Sequence, residues 1–265
     1  MLSVAIITFN EEENIKDCLE SVRWADEIVV VDSGSADRTQ EICRQYTDKV
    51  FTLEWTGFAD TKQKAVNLTT HPWVFVLDAD ERVTPALKEE ISSIVQTLPY
   101  PSPLTLPGTS LDDTRESVDG YYVPRKNYFA KKWIKHGGWR PDYTLRLFRK
   151  GKGSFEPREV HEAVKISGGT GYLKNPLVHY TYKDIADYLK RMERYSTLAA
   201  QELFKKGRRA NILDIIFRPP VTFIRMFFLQ LGILDGIYGI ILACLYSRYT
   251  FNKYFKLMKM QSTDY

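Results

Sequence analysis

Apolar positions along the first third of the chain fall into short, nearly continuous runs, each stopped by a polar turn. Leu2-Ser-Val-Ala-Ile-Ile-Thr8 opens the sequence and leads through Glu11-Glu12-Glu13-Asn14 into a helical pattern reaching Arg23. Glu27 to Val31 repeats the theme and stops at Asp32-Ser33-Gly34-Ser35-Ala36-Asp37-Arg38-Thr39, and Trp73-Val-Phe-Val-Leu stops at Asp78-Ala79-Asp80-Glu81-Arg82. Strand, polar turn and helix in succession predict an open, largely parallel α/β sheet. Such sheets take ligands beyond the carboxyl ends of their strands. Thr8, Asn10, Asp32, Ser33, Asp78 and Asp80 are therefore expected along one edge, as a nucleotide-type site.

The pair Asp78 and Asp80 adds chemistry to that edge. Residues two apart on a strand share a face, and hard divalent cations take carboxylate oxygens and complete their shells with water and phosphates. A metal–diphosphate site follows. The competing reading makes the pair the cap of a helix beginning at Pro85.

Further along, 85–98 reads as a helix, and 99–118 as a structureless insert with four prolines in its first nine residues. The helix after Thr61 carries Lys62 and Lys64, read either as donor contacts or as a solvated basic face. Lys131 to Asp142 interleaves basic and aromatic residues around Gly137-Gly138, a pattern suited to sugar rings and phosphates. Trp139, Arg146 and Arg149 are the acceptor-side or phosphate candidates. A turn with exposed basic residues is the alternative.

Asp184 to Lys206 is a clear amphipathic helix, with Tyr188, Leu189, Met192, Tyr195, Ala199 and Leu203 at three- and four-residue steps. Beyond Phe217-Arg-Pro-Pro, the apolar stretch 221–246 is divided by Arg225 and Asp235 into uncharged runs of nine and twelve residues. Those are short of the roughly 20 that a spanning helix needs. The expectation is an in-plane, interfacial element, supported by a tail with Phe251, Tyr254, Phe255 and Met258 on one face and Lys253, Lys256 and Lys259 on the other. A helical bundle or homo-oligomer contact is the alternative. The expected domains are thus 1–182, catalytic, and 183–265, helical.

Composition narrows the classes without choosing among them. The 265 residues are 44% apolar and 26% charged, and a net charge of +4 is too small to argue for nucleic acid, so none is expected as a partner. Cys18, Cys43 and Cys244 are scattered and odd in number, which supports neither a disulfide framework nor a zinc site. Met1 leads straight into a strand with no signal-peptide pattern, so a cytoplasmic catalytic part is expected.

Taken together, Val-Ala-Ile-Ile-Thr-Phe-Asn-Glu-Glu, Val-Val-Val-Asp-Ser-Gly-Ser-Ala-Asp-Arg-Thr and Leu-Asp-Ala-Asp-Glu resemble family 2 glycosyltransferases of the GT-A fold. The resemblance covers about the first 165 residues. Asp-Ala-Asp-Glu-Arg with the later Val160-His161-Glu162 is more similar to the lipopolysaccharide-core β-glucosyltransferase subgroup.

The resemblance implies an inverting, metal-dependent transfer of a hexose, glucose from UDP-glucose, to a lipopolysaccharide-core or other lipid-linked glycan acceptor. It would place the protein peripherally on the inner face of the plasma membrane. Thr8, Asn10, Glu12, Asp32 and Ser33 would hold the nucleoside, with Lys62, Lys64 and Asp78 beside the donor. Asp80, Asp78 and His161 would hold Mg²⁺ or Mn²⁺, and Glu162 would be the base. The family's more common Glu-Asp is absent at that point, which keeps Asp142 as an alternative base and Glu159 behind it. His179, after another short strand, is expected to be a satisfied core histidine, with a phosphate or metal ligand facing the site as the alternative.

Two other classes stand beside this reading. A sugar nucleotidyltransferase would want a glycine-rich basic loop after the first strand, where Asn10-Glu11-Glu12-Glu13 is acidic. A catalytically silent scaffold would not need Asp78, Asp80 and Glu162.

Overall fold

The computed structural model describes residues 1–97, 118–156 and 163–262. The expected insert falls almost wholly outside them, as do Glu159, His161 and Glu162. The chain forms two compact units, Met1–Arg125 with Tyr143–His179, and Lys126–Asp142 with Tyr180–Tyr265. The chain thus passes between the units three times, after Arg125, after Asp142 and after His179, and 126–142 belongs with the helical unit.

The first unit begins β1 (Leu2–Thr8), α1 (Ile15–Val22), β2 (Glu27–Asp32), α2 (Thr39–Cys43), β3 (Val50–Thr52), α3 (Phe58–Leu68) and β4 (Trp73–Asp78). β1 lies between β2 and β4, parallel to both, and β3 pairs parallel with β2. The register sets Thr8 against Asp32 and Ile7 against Asp78, which brings the three polar strand ends to one edge.

Apolar side chains explain why these strands read as unbroken runs. Val4 and Ile6 enter a core with Ile15, Leu19, Phe75 and Leu77, while Ala5 and Ile7 enter another with Ala65, Val74 and Val76. Alternate residues point to opposite faces and both faces are covered. Helix α1 buries Ile15, Cys18, Leu19 and Val22, one stripe at helical spacing.

After β4 come β5 (Glu81–Val83) and α4 (Pro85–Thr97). Thr84 Oγ1 accepts the Leu87 N–H (3.3 Å) at the start of α4, so Asp78 and Asp80 do not cap this helix. β6 (Val118–Phe129) leaves the first unit at Arg125, and β7 (Lys132–Trp133) folds back on its end. β8 (Tyr143–Arg149) pairs antiparallel with β4 and with the first half of β6. β9 (Gly153–Glu156) and β10 (Ala163–Ile166) form a hairpin, β11 (Gly169–Tyr172) pairs parallel with β6, and β12 (Leu177–Tyr182) pairs antiparallel with β5.

The second unit contains α5 (Ile185–Lys205), α6 (Ile212–Ile224), a π-helical turn (Arg225–Leu229), a 3-10 turn (Gly232–Asp235) and α7 (Ile237–Ser262). Asp184 caps α5 by accepting the Asp187 N–H (2.8 Å), and Asn211 with Asp214 forms a reciprocal capping box on α6. Phe129, Ile134, Trp139, Tyr188, Met226 and Leu242 make the core.

Two expectations change here. Pro219 and Pro220 lie inside α6 and do not introduce a new segment. The tail is not a free amphipathic face: Tyr254 and Met258 pack on the cluster of Ala200, Ala210 and Leu257, and the Lys256 ammonium donates to Glu193, Ser196 and Thr197. Among the described residues no helix is long and apolar enough to cross a membrane.

Candidate functional site

At the ends of β1 and β2 the two turns are stitched together. Asn10, at φ 54°, donates its N–H to Ser35 Oγ (2.8 Å) and accepts the Ala36 N–H on Oδ1 (2.9 Å). The Glu12 N–H reaches Asp37 Oδ2 (3.2 Å), and Glu12 Oε2 accepts the Arg38 N–H (3.1 Å). Asp32 is wholly buried and accepts from the Gly34 N–H, the Ser35 N–H and Gln40 Nε2 at 2.9, 2.8 and 2.6 Å. These groups hold the edge in shape before any ligand arrives. Thr8 Oγ1 and Ser33 Oγ, beside them, are buried hydroxyls with no hydrogen-bond partner among the described residues. Buried polar atoms are rarely left so, and a rotatable hydroxyl serves a ligand as donor or acceptor.

The acidic turn divides its carboxylates between two tasks. Asp78 Oδ1 meets Lys62 Nζ (2.8 Å) and its Oδ2 meets Arg146 Nη2 (2.5 Å). Arg146 also reaches Glu81 (2.7 Å), Arg125 stands 3.4 Å from the same Glu81 oxygen, and Glu81 Oε2 accepts the Asp78 N–H (3.0 Å). Burial alone would raise the Asp78 pKa, but Arg146 and Lys62 outweigh it and hold the carboxyl far below the usual range. Glu81, fully buried, is a partner the sequence reading missed. Its signal was alternation: in β5, Glu81 and Val83 point inward and Arg82 does not.

Asp80, two residues on, has its Oδ2 3.6 Å from His179 Nε2. The β5–β12 register places His179 opposite Glu81 and so brings it to the turn. Burial pulls the imidazole pKa down, and the Asp80 charge and hydrogen bond more than reverse this, leaving it above its ordinary value. His179 is thus a partnered histidine, and its partner is a carboxylate of the acidic turn.

No cluster of three His, Cys, Asp or Glu side chains suited to a metal occurs among the described residues. One carboxylate and one imidazole nevertheless fit a divalent cation that draws the rest of its shell from diphosphate and water. Asp78 does not fit as directly, since each of its oxygens faces a cation.

Several expected contacts are corrected by their surroundings. Lys62, 2% exposed, serves Asp78 and not a solvent-facing phosphate. Lys64 pairs with Asp60 (2.7 Å) one helical turn away. Arg146 is buried in the Asp78–Glu81 network. Arg149 pairs with Asp119 (3.4 Å) and lies 4.7 Å over the Trp73 ring. Trp139, in the second unit, is 8% exposed and packed against Phe129, Tyr182 and Tyr246, so its faces are not open to a sugar. Asp142, also there, accepts from Asn127 Nδ2 (2.6 Å).

Comparison with known proteins gives a consistent picture. The model of Glycosyl transferase family 2 matches residues 3–150. The chain is 31% identical over 234 residues, 86% of its own length and 80% of the relative's, to the lipopolysaccharide core biosynthesis glycosyltransferase LpsC of Rhizobium meliloti (strain 1021). It is 26% identical over 267 residues to an uncharacterized glycosyltransferase of Rickettsia bellii (strain RML369-C), covering 98% of this chain and 86% of that one. A crystal structure of S. aureus TarS 1-349 in complex with UDP-GlcNAc aligns over 99% of this chain and 92% of its own, with 13% identity and a TM-score of 0.46, too distant to weigh on substrate.

Proposed function

This chain belongs to glycosyl transferase family 2, and from that premise we propose that it transfers glucose from UDP-glucose, with inversion, to a lipopolysaccharide-core or other lipid-linked glycan. The observation that carries the reading is the set of polar side chains gathered at the end of β4. Asp78 is held by Lys62 and Arg146, and Asp80 meets His179, on the edge that also bears Thr8 and Ser33. The similarity to LpsC supports the choice of acceptor. The work belongs at the inner face of the plasma membrane, where nucleotide-sugars and lipid-linked acceptors meet.

In this reading Thr8 and Ser33 offer their hydroxyls to the nucleoside, while the Asp32 and Asn10 turns keep that edge rigid. Asp80 and His179 hold Mg²⁺ or Mn²⁺, with Asp78 fixing the turn that presents Asp80. When bound, the cation offsets the charge that builds on the departing diphosphate. Inversion requires one base to take the acceptor hydroxyl proton while the sugar is displaced in line. Glu162 is proposed for that task, with Asp142 the alternative and its hydrogen bond from Asn127 the feature that would orient it.

The test is titration of UDP into the protein with and without Mn²⁺. Asp80→Ala is expected to remove the metal-dependent part of binding and all transfer while leaving the unfolding transition in place. Unchanged transfer in that variant would overturn the metal assignment. Glu162→Gln should still bind UDP and lose about 10²–10⁴-fold in turnover, whereas a larger loss in Asp142→Asn would move the base there.

A further inference from the structure

The second unit exposes apolar side chains where a soluble surface would carry polar ones. Along α6 and the turn after it, Leu213, Phe217, Val221, Ile224 and Phe228 recur at steps of three and four, all more than half exposed. The opposite side of the same helix buries Ile215 and Pro219, followed by Met226. The helix is thus apolar on both sides, and among the described residues only one is used for packing. The π and 3-10 turns continue the face with Leu229 at 76% and Leu234 at 63% exposure, and Ile237 opens α7 at 62%. Isolated exposed leucines are ordinary, but a contiguous face of this kind marks an interaction site.

Charge decides what covers it. Residues 207–262 hold eight Lys or Arg against two Asp, a net +6 in a chain whose total is +4. Both acids are engaged: Asp214 pairs with Arg218 (2.6 Å), and Asp235 accepts the N–H groups of Lys135 and His136 (3.2 and 2.8 Å). Arg208, Arg209, Arg225 and Arg248 are exposed, and none pairs with a carboxylate among the described residues.

The Asp235 clamp fastens the 134–138 loop to the turn bearing Ile233 and Leu234. That loop carries Lys135, whose ammonium lies 4.6 Å from the Trp133 ring, with Lys126 at 4.9 Å and Arg140 at 5.6 Å from the same ring. Like charges gathered around one indole next to an apolar ledge are relieved by an anionic surface. A second copy of the chain would set the same positive face against itself.

We propose that the exposed side of α6, the π and 3-10 turns and the first turn of α7 lie in the plane of an anionic phospholipid bilayer, with the surrounding arginines and lysines on headgroup phosphates. Helix α6 has 13 residues, too few to span a bilayer but enough for in-plane insertion. The lysine-bearing tail, anchored on α5, is not the docking element. The proposal deepens the membrane reading above and is independent of the donor site.

The experiment is co-sedimentation of the full chain with vesicles of phosphatidylcholine and phosphatidylglycerol, and with phosphatidylcholine alone, alongside sedimentation velocity and UDP titration. The wild type is expected to bind the anionic vesicles, more weakly at high salt and more weakly still without phosphatidylglycerol. Leu229→Glu with Leu234→Glu, at sites that cost the fold little, should lower partitioning by at least about tenfold. Arg208→Ala with Arg225→Ala should weaken binding only to the anionic vesicles, and neither pair should alter UDP affinity. Undiminished vesicle binding in the leucine variant overturns the proposal. So does a stable dimer of the wild type that the leucine variant dissolves, since the face would then be a protein interface. Vesicle binding without any UDP affinity would sink the donor reading and leave this one standing.

Discussion

At the scale of single residues, opposite charges are sorted by depth. Arg146 sits between Asp78 and Glu81 with almost no solvent contact. A buried pair adds little net stability over an apolar substitute, but removing one partner strands the other. Arg146→Met is therefore expected to cost about 3–5 kcal/mol in urea unfolding. A loss within experimental error would mean that Asp78 and Glu81 are solvated or protonated without it. Glu27 provides a pH-dependent counterpart. Burial would raise its pKa, but hydrogen bonds from Lys49, Ser3 and Thr70 hold it at about 2, against an ordinary 4.5. A carboxyl depressed on folding contributes stability above pH 4.5, and the contribution disappears as pH falls toward 2. The contribution is on the order of 3 kcal/mol. Wild type and Glu27→Gln should differ by that order at neutral pH and converge in acid, as read by thermal unfolding across the range.

Elements in the second unit show how far close packing can override local preference. Pro219 and Pro220 would break an isolated helix, since each lacks a donor, yet α6 continues through them. Ser247 Oγ on α7 donates to the Pro219 carbonyl (2.8 Å), and Thr222 meets Thr250 (3.2 Å). The turn before α7 depends on small residues. A Cβ on Gly239 would stand 1.8 Å from the Gly232 carbonyl oxygen, and one on Gly232 would stand 2.7 Å from the Met226 carbonyl oxygen. Both obstacles are backbone and cannot swing aside. Gly239→Ala is expected to destabilise by at least about 1–3 kcal/mol, the usual range for overpacking, and to lower the melting temperature. An unchanged melting temperature would show that the turn re-forms around the methyl. The carbonyls that Gly232 and Gly239 lie against belong to other turns, and nothing local to either glycine names them.

For the whole molecule, the chain crosses between its two units three times, so a boundary drawn at one point in sequence misplaces part of the second unit. Phe129, Ile134 and Trp139, all before residue 143, share a core with Tyr188, Met226 and Leu242. Removing residues 217–265 would uncover that core as well as any docking face. The truncated chain is expected to aggregate, with loss of near-ultraviolet circular dichroism. A folded, monodisperse product would show that 126–216 closes on itself. Point changes on the exposed ledge therefore separate anchoring from folding, and truncation does not.

The sequence alone determined the strand–turn–helix grammar of the first hundred residues, the arrival of Thr8, Asp32 and Asp78 at one sheet edge, and the family. Each depends on local pattern: apolar period, strand-end chemistry and turn composition are written within a few neighbouring residues. It also carried the limit on membrane spanning, because Arg225 and Asp235 interrupt the apolar run. Only the tertiary structure decided which charge meets which. Arg146 reaches Asp78 across 68 positions, and β12 brings His179 to Asp80 from 99 positions away. It likewise buried Trp139, placed Pro219 within a helix, and packed Tyr254 and Met258 of the tail against Ala200 and Ala210. A side chain's burial and counter-ion are set by segments distant in sequence, and no periodicity in its own neighbourhood encodes them.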